Sequence, residues 1–217
     1  MVKKEAKEFS FVQELKRKAV HILALGYILI YVFVNSYAGK RVGILSLGGL
    51  LVLFILLDYF RIERGKKIPY LHQFWRAKEK DRIGGQVFFL VGVIIAFTVF
   101  NFKVALAVIL MTIFGDMASA LIGKKFGKFR FKTSKKSIEG AVAEFVVDFV
   151  IGVLVFFWGA WNFSNWPLWL VVLVMAFMAS YVETLINKMD DNLTIPVVAG
   201  FFGQLAWLLQ GSGWFGT

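Results

Sequence analysis

Apolar residues fall into seven long runs, Ala19 to Tyr37, Val42 to Tyr59, Gly85 to Phe100, Val104 to Ile122, Ile138 to Gly159, Pro167 to Ile186 and Leu193 to Gln210, with polar gaps between them. Each approaches the roughly 20 residues that a helix needs to cross the hydrocarbon core of a bilayer. Backbone amides and carbonyls in hydrocarbon must be paired internally, which leaves helices or closed barrels. Barrel strands would read as alternating segments of about ten residues. The pattern therefore predicts an all-α polytopic membrane protein of about seven transmembrane helices, one domain over residues 1–217 with no internal repeat and no flexible linker. Pro167 and Pro196 fall near the starts of the last two runs, where a missing amide costs little.

Charge is distributed unevenly among the gaps. Of the Lys and Arg residues, 22 lie in the N-terminal segment and every second gap after it, and 3 in the others. Cationic segments stay on the cytoplasmic side, so residues 1–18, the loops 60–84 and 123–137 and the "KMDDN" turn are expected in the cytoplasm, with the C-terminus outside. The net charge of +11 is then a one-sided basic face, which sets topology and can also meet anionic headgroups or nucleotides. Composition agrees: 59% of residues are hydrophobic and 18% charged, against about 25% charged in soluble domains. There is no cysteine, hence no disulfide and no thiolate metal site. The first run follows a charged lead, is as long as a full span and has no A-x-A site after it, so it is read as a retained helix rather than a signal peptide. "NFS" at Asn162 matches a glycosylation sequon on the expected outer side. In the loop 60–84, "YLHQFWRAKEKDR" mixes aromatic and basic residues as interfacial helices do.

Acidic side chains inside apolar runs are disfavoured by several kcal/mol unless they face water or a partner, which singles out Asp116, Glu144 and Asp148. Glu144 and Asp148 are four apart and share a helix face; a cation or proton between them, or a salt bridge to a basic loop, would offset their repulsion. Just past Asp116, Gly123 and Gly127 sit among Lys124, Lys125, Lys128, Arg130, Lys132, Lys135 and Lys136. Glycines there either end the helix or let backbone amides approach a phosphate; the spacing is not that of a Walker loop. Phe126, Phe129 and Phe131 interleave with the cations, a pattern that headgroup and nucleic-acid binding share. Ser137 stands where an N-cap would, with Glu139 in the first turn, and a helix N-terminus at a cationic loop favours an anion. Glu183, Asp190, Asp191 and Asn192 bracket the last cytoplasmic turn as oxygen groups of the kind magnesium takes, or as ordinary turn residues. Arg17, Lys18 and His21 mark the membrane border of the first run, and Arg76 and Glu79 are three apart in the second basic loop.

Four stretches, "ELKRKAVHILALG", "RAKEKDRIGGQVFFLVG", "DMASALIGKKFGKFRFKTSKKSIEG" and "ETLINKMDDNLTIP", resemble the CTP-dependent polyprenol and diacylglycerol kinases, a family that includes dolichol and phytol kinases and is related to the phosphatidate cytidylyltransferases. The pattern DxxAxxxGxxxG followed by SKKSxEG carries most of the likeness; Ser137 stands where the family commonly has Thr. The resemblance implies that Asp116, Gly123, Gly127, Lys135, Lys136, Glu139 and Gly140 belong to a nucleotide and metal site. It assigns Asp191 and Asn192 to the "DN" near the last helix, and Arg17, Lys18 and His21 to the first.

Lys124, Lys128 and Ser137 join the nucleotide side of that expected site. His21, Arg76, Glu79, Glu144, Asp148 and Glu183 line the lipid side. Asp116, Glu139 and Asp191 are the expected magnesium ligands, with Asp191 alternatively the base. The implied reaction is attack by a membrane lipid alcohol of the dolichol or polyprenol type on the terminal phosphate of CTP, at the cytoplasmic face. The expected partners are CTP, that alcohol and the bilayer, with no nucleic acid; a homo-oligomer stays open. A diacylglycerol acceptor, a cytidylyltransferase forming a CDP-lipid, and a transporter are the alternatives. The basic, glycine and aspartate motif of the cytidylyltransferase branch is not found, and transporters tend to show broken helices in paired halves, a pairing not seen here.

Overall fold

The computed structural model describes residues 24–64, 82–131, 136–158, 166–185 and 189–211. Arg17, Lys18, His21, Arg76, Glu79, Lys132, Lys135 and the sequon at Asn162 lie outside the described residues, as does most of the expected interfacial segment of the loop 60–84. Six helical elements follow in order: α1 Leu25–Arg64, α2 Gly85–Val99, α3 Phe102–Phe126, α4 Ile138–Phe157, α5 Trp166–Leu185 and α6 Asp191–Gly211. Among the described residues the extended structure is a single antiparallel bridge, Arg130 with Ser137. The protein is an all-α polytopic membrane protein, and among the described residues five helices are long and apolar enough to cross a bilayer.

α1 joins the first two expected spans. Gly39 lies at φ 82° and ψ 167°, a backbone geometry that a side chain would strain. The chain reverses there. Tyr27 and Phe54 have ring centroids 6.0 Å apart, whereas in a straight helix their positions would be ~40 Å apart at 1.5 Å per residue. A Cβ on Gly43 would stand 3.2 Å from the Tyr31 ring. The arms 25–38 and 40–64 are thus a helical hairpin, packed on α2 through the Tyr31–Phe97 ring stack at 3.9 Å and a hydrogen bond of 3.0 Å from the Tyr27 hydroxyl to Gln86 Oε1.

The second arm runs on to Arg64, past the end expected at Tyr59, and a buried clasp explains why. Arg61 donates from Nε to Asp58 Oδ1 at 3.0 Å and from a terminal nitrogen to the Arg82 carbonyl at 2.6 Å, while the Gly84 amide donates to Asp58 Oδ2 at 2.7 Å. One carboxylate therefore holds the end of α1 and the amide of Gly84, the residue that caps α2. Asp58→Ala strips the buried guanidinium of its counter-charge, and breaking such a pair is strongly destabilising, by about 3–5 kcal/mol. The unfolding midpoint in detergent is expected to fall accordingly.

α3 is the central helix and packs against α2, α4, α5 and α6. Small residues let the helices approach, as is usual in membranes where apolar association gains little over lipid: a Cβ on Gly152 of α4 would stand 2.6 Å from Val172 of α5, and one on Gly203 of α6 would collide with Met175 of α5. α4 shows the membrane setting most plainly. Ile138, Val142, Val146, Val150 and Leu154 form an exposed stripe at every fourth position, and Gly140, Glu144, Asp148 and Gly152 form the buried one. Such an arrangement, apolar outward and acidic inward, is favourable only where the surroundings are lipid.

At one end of the bundle, Asn101 donates its amide to Gln204 Oε1 at 2.7 Å and Lys103 donates to the Phe156 carbonyl at 3.2 Å. At the other end α1 finishes, α2 begins, α3 finishes, α4 begins, α5 finishes and α6 begins. This second end carries the basic segments and the acids.

Candidate functional site

α3 and α4 meet in a knot of small residues. A Cβ added to Gly123 would stand 2.9 Å from Ser137 Oγ, one on Gly127 2.7 Å from the same oxygen, and one on Gly140 2.8 Å from the Ser119 carbonyl. The glycines thus bring the end of α3 and the start of α4 within contact, and the space between them is filled by Ser137. Ser137 caps α4, accepting from the Gly140 amide at 3.1 Å, which satisfies one of the helix's unpaired donors. Glu139 turns back over the segment between the helices: its Oε1 accepts from the Lys128 amide at 2.8 Å and the Phe129 amide at 3.2 Å. The Ile138 amide donates to the Phe129 carbonyl at 2.9 Å and the Phe131 amide to the Lys136 carbonyl at 3.2 Å. These contacts fix residues 127–131 against 136–138 and aim Lys136 into the bundle. Lys124, Lys125 and Lys128 are exposed around the knot.

Lys136 Nζ lies 2.9 Å from Glu183 Oε1 of α5 and 3.3 Å from Asp191 Oδ2 of α6. Burial works to lower its pKa, but Glu183, Asp191 and Asp116 outweigh that and hold the ammonium above its ordinary value. It therefore stays charged at any physiological pH. Asp190, next to Asp191, is the cap of α6: its carbonyl accepts from the Leu193 and Thr194 amides and its Oδ1 from the Asn192 amide at 3.1 Å and side chain at 2.8 Å. Capping by Asp190 leaves the Asp191 carboxylate to face Lys136.

Behind Lys136 the acids go deeper. Glu144, Asp148 and Glu183 are 1%, 0% and 2% exposed. Glu144 is in electrostatic range of Glu183 and Asp148, and Asp148 of Glu183 and Asp116. Asp148 rests on Gly115, where any Cβ would collide with its carboxylate. Neither Asp148 oxygen has a hydrogen-bond partner, and neither do Glu144 Oε2, Glu183 Oε2 and Glu139 Oε2.

The structure therefore joins Asp116, Lys136, Glu144, Asp148, Glu183 and Asp191 in one network from four helices and a loop. It joins Gly123, Gly127, Lys128, Ser137, Glu139 and Gly140 in a second, which positions the first. Asn192 belongs to the turn that orients Asp191, and Gly92 of α2 packs on its carbonyl, where a Cβ would stand 3.0 Å away. Asp116, Glu139 and Asp191 are not gathered about one ion: among the described residues no three acidic groups are so placed, and Glu139 is committed to the loop amides. The donor chemistry of the two networks nonetheless suits a hard cation, since their buried atoms without a hydrogen-bond partner, on Glu139, Glu144, Asp148 and Glu183, are carboxylate oxygens, the kind magnesium and manganese take. The clasp of Asp58 and Arg61 escaped the sequence reading, although an acid three residues before an arginine at the end of an apolar run is its visible trace.

No family model matches the chain and no solved structure matches it. Curated relatives do. "CTP-dependent diacylglycerol kinase 1" of Saccharomyces cerevisiae is 28% identical over 221 residues, covering 90% of this chain and 74% of the relative. The protein of the same name in Schizosaccharomyces pombe is 25% identical over 208 residues, covering 88% of this chain and 93% of the relative. The chain is a relative of CTP-dependent lipid kinases. "Probable phytol kinase 2, chloroplastic" of Oryza sativa subsp. japonica is 23% identical over 213 residues, with 93% of this chain and 69% of the relative covered. Each alignment takes in nearly the whole bundle, so the likeness extends to the helices that carry the acids as well as to the basic loop.

Proposed function

We propose that this protein is a CTP-dependent lipid kinase acting on an alcohol of the diacylglycerol class at the cytoplasmic face. The observation that carries the reading is the Lys136, Glu183, Asp191 and Asp116 network at a membrane-helix end, in a chain whose named relatives are kinases of this kind. Dolichol and polyprenol, the acceptors favoured from the sequence, give way to diacylglycerol because two of the relatives above carry that substrate in their names; the phytol kinase keeps an isoprenoid alcohol as the second candidate.

Phosphoryl transfer asks little covalent chemistry of a protein; positioning and charge neutralisation supply most of the rate. The lipid hydroxyl oxygen forms a bond to the terminal phosphorus of CTP, the bond from that phosphorus to the bridging oxygen breaks, and CDP leaves. The hydroxyl proton passes to a carboxylate of the network; Asp191 is the candidate for that base, or else a magnesium ligand. Lys136 steadies the phosphates, joined by Lys135 and by Lys124 and Lys128 at the rim. Arg17, Lys18 and His21 stay candidates for the nucleotide and lipid at the first helix, and Arg76 and Glu79 for the lipid. Magnesium, when bound with the nucleotide by Asp116 and Asp191, supplies neutralisation of phosphate charge. Glu139 acts through the loop, holding the amides of Lys128 and Phe129.

The test is a panel of diacylglycerol, phytol and a polyprenol, each offered with labelled CTP or ATP to the purified protein in mixed micelles. Phosphatidic acid and CDP are expected from the diacylglycerol and CTP pair, well above every other pair. Release of pyrophosphate with a CMP-linked lipid would establish the cytidylyltransferase alternative instead. A phosphorylated polyprenol with no phosphatidic acid would return the acceptor to the isoprenoids.

A further inference from the structure

α6 brings Asp191 to Lys136, and its first two turns are located by a helix that gives the site no side chain. Further along α6, Gly200 and Gly203 meet Phe100 and Met175, where a Cβ would collide. The first turns are met by α2: a Cβ on Gly92 would stand 3.0 Å from the Asn192 carbonyl oxygen and 3.1 Å and 3.3 Å from Cγ and Cβ of Pro196. Those distances are tighter than a Cβ ordinarily packs, so a neighbour would have to give by a few tenths of an ångström. Gly92 is buried. Pro196 lies inside α6, and a proline withholds one helical hydrogen bond, so the turn before it depends more on what packs against it. α2 is itself fixed along its axis. Gly92 lies seven residues after Gly85 and Asn192 one after Asp191, so α2 starts about 9 Å ahead of α6 at 1.5 Å per residue. That overhang ends at the clasp, where Asp58 accepts the Gly84 amide and Arg61 donates to the Arg82 carbonyl.

We propose that Gly92 is a positioning residue for phosphoryl transfer: the missing side chain lets α2 brace the first turns of α6 where Asp191 Oδ2 comes to 3.3 Å from Lys136 Nζ. Gly92 acts through Asp191. A methyl group at position 92 pushes on the Asn192 carbonyl and the Pro196 ring, and Asp191, the residue before Asn192, moves with them. Lys136 keeps its other partner, because Glu183 comes from α5 at 2.9 Å. The ammonium therefore stays in place for the nucleotide while the reach of Asp191 changes, and the loss falls on turnover. The proposal rests on the kinase reading for the use made of Asp191.

The experiment compares Gly92→Ala with the unaltered full chain in mixed micelles of diacylglycerol, with CTP varied. Turnover is expected to fall by about tenfold or more, since a misplacement of about 1 Å can cost a hundredfold, with KM for CTP little changed. Gly48→Ala on α1, where a Cβ meets nothing within 4 Å, should turn over as the unaltered chain does. Placed in Asp191→Asn, Gly92→Ala should cost less than about threefold, because changes that act through one group do not add. A second readout needs neither CTP nor lipid. The Leu193 and Thr194 amides donate to the Asp190 carbonyl, and their hydrogen exchange should quicken by about tenfold in Gly92→Ala as that turn is loosened. Should Gly92→Ala fail to fold, adding Pro196→Ala, which removes the ring and restores an amide to α6, should recover the fold; a double variant still unfolded counts against the brace. Turnover of Gly92→Ala close to that of the unaltered chain, an equal fold loss in both Asp191 backgrounds, or unchanged exchange at Leu193 and Thr194 overturns it. If the unaltered chain phosphorylates no lipid, the kinase reading fails and exchange still decides the brace; if it does and Gly92→Ala matches it, the brace fails alone.

Discussion

Asp116→Ala is expected to lower lipid phosphorylation by about two to three orders of magnitude, the loss typical when one preorganised electrostatic group is taken from a charged transition state, and to leave a folded, extractable protein. Asp116 sits on α3 beside Gly115, on which Asp148 rests, and interacts with Lys136 and Asp191. It is half-buried, so truncation removes charge at the site without opening a large void in the core. The measurement is turnover at saturating CTP and lipid, alongside the unfolding midpoint. Turnover within about fivefold of the unaltered protein would remove Asp116 from the reaction, because a role in positioning phosphate charge should cost far more than that. A collapse of the midpoint with turnover would instead make Asp116 a structural partner of Lys136.

The architecture was legible because lipid imposes a coarse rule. Long apolar runs must become helices, and the run boundaries at Gly85, Ile138 and Pro167 fall within a residue or so of the helices that begin there. The reversal at Gly39 was marked only by a polar break between runs. Boundaries set by tertiary contacts were harder. α1 runs on to Arg64 because Asp58 and Arg61 hold it against Gly84 and Arg82, contacts between positions more than twenty residues apart that no local pattern encodes. The acids of the network were legible singly, since each is conspicuous in an apolar run or turn, but their division into two groups was not. Gly123 and Gly127 read equally as a phosphate cradle or as a helix end; in the structure they meet Ser137. Glu139 read as a metal ligand or a first-turn acid, and its carboxylate lies on the loop amides. Spacing alone reports that two residues share a face; it does not report what comes to meet that face.

Asp148→Asn is expected to do the opposite of what a buried substitution usually does. Most core changes destabilise by 0.5–3 kcal/mol or so, but Asp148 is 0% exposed with both oxygens unpartnered, and a buried carboxyl without partners is a burden on the fold. Asn keeps the shape that fits against Gly115 and cannot ionise. Replacing a buried ion pair by hydrophobic residues of similar volume is often neutral or stabilising, by about 1–4 kcal/mol, and removing a lone ionisable group acts in the same direction. In chelator, the midpoint of Asp148→Asn should rise by several degrees above that of the unaltered chain, while lipid phosphorylation falls by about a hundredfold or more, the size of a lost electrostatic contribution. A carboxylate retained at a loss in stability is what a working site looks like, since selection for activity and selection for stability pull apart at such positions. If Asp148→Asn is less stable in chelator and fully active, the carboxylate is a structural element of the α3 and α4 contact, and the chemistry must be sought nearer to Lys136 and Asp191.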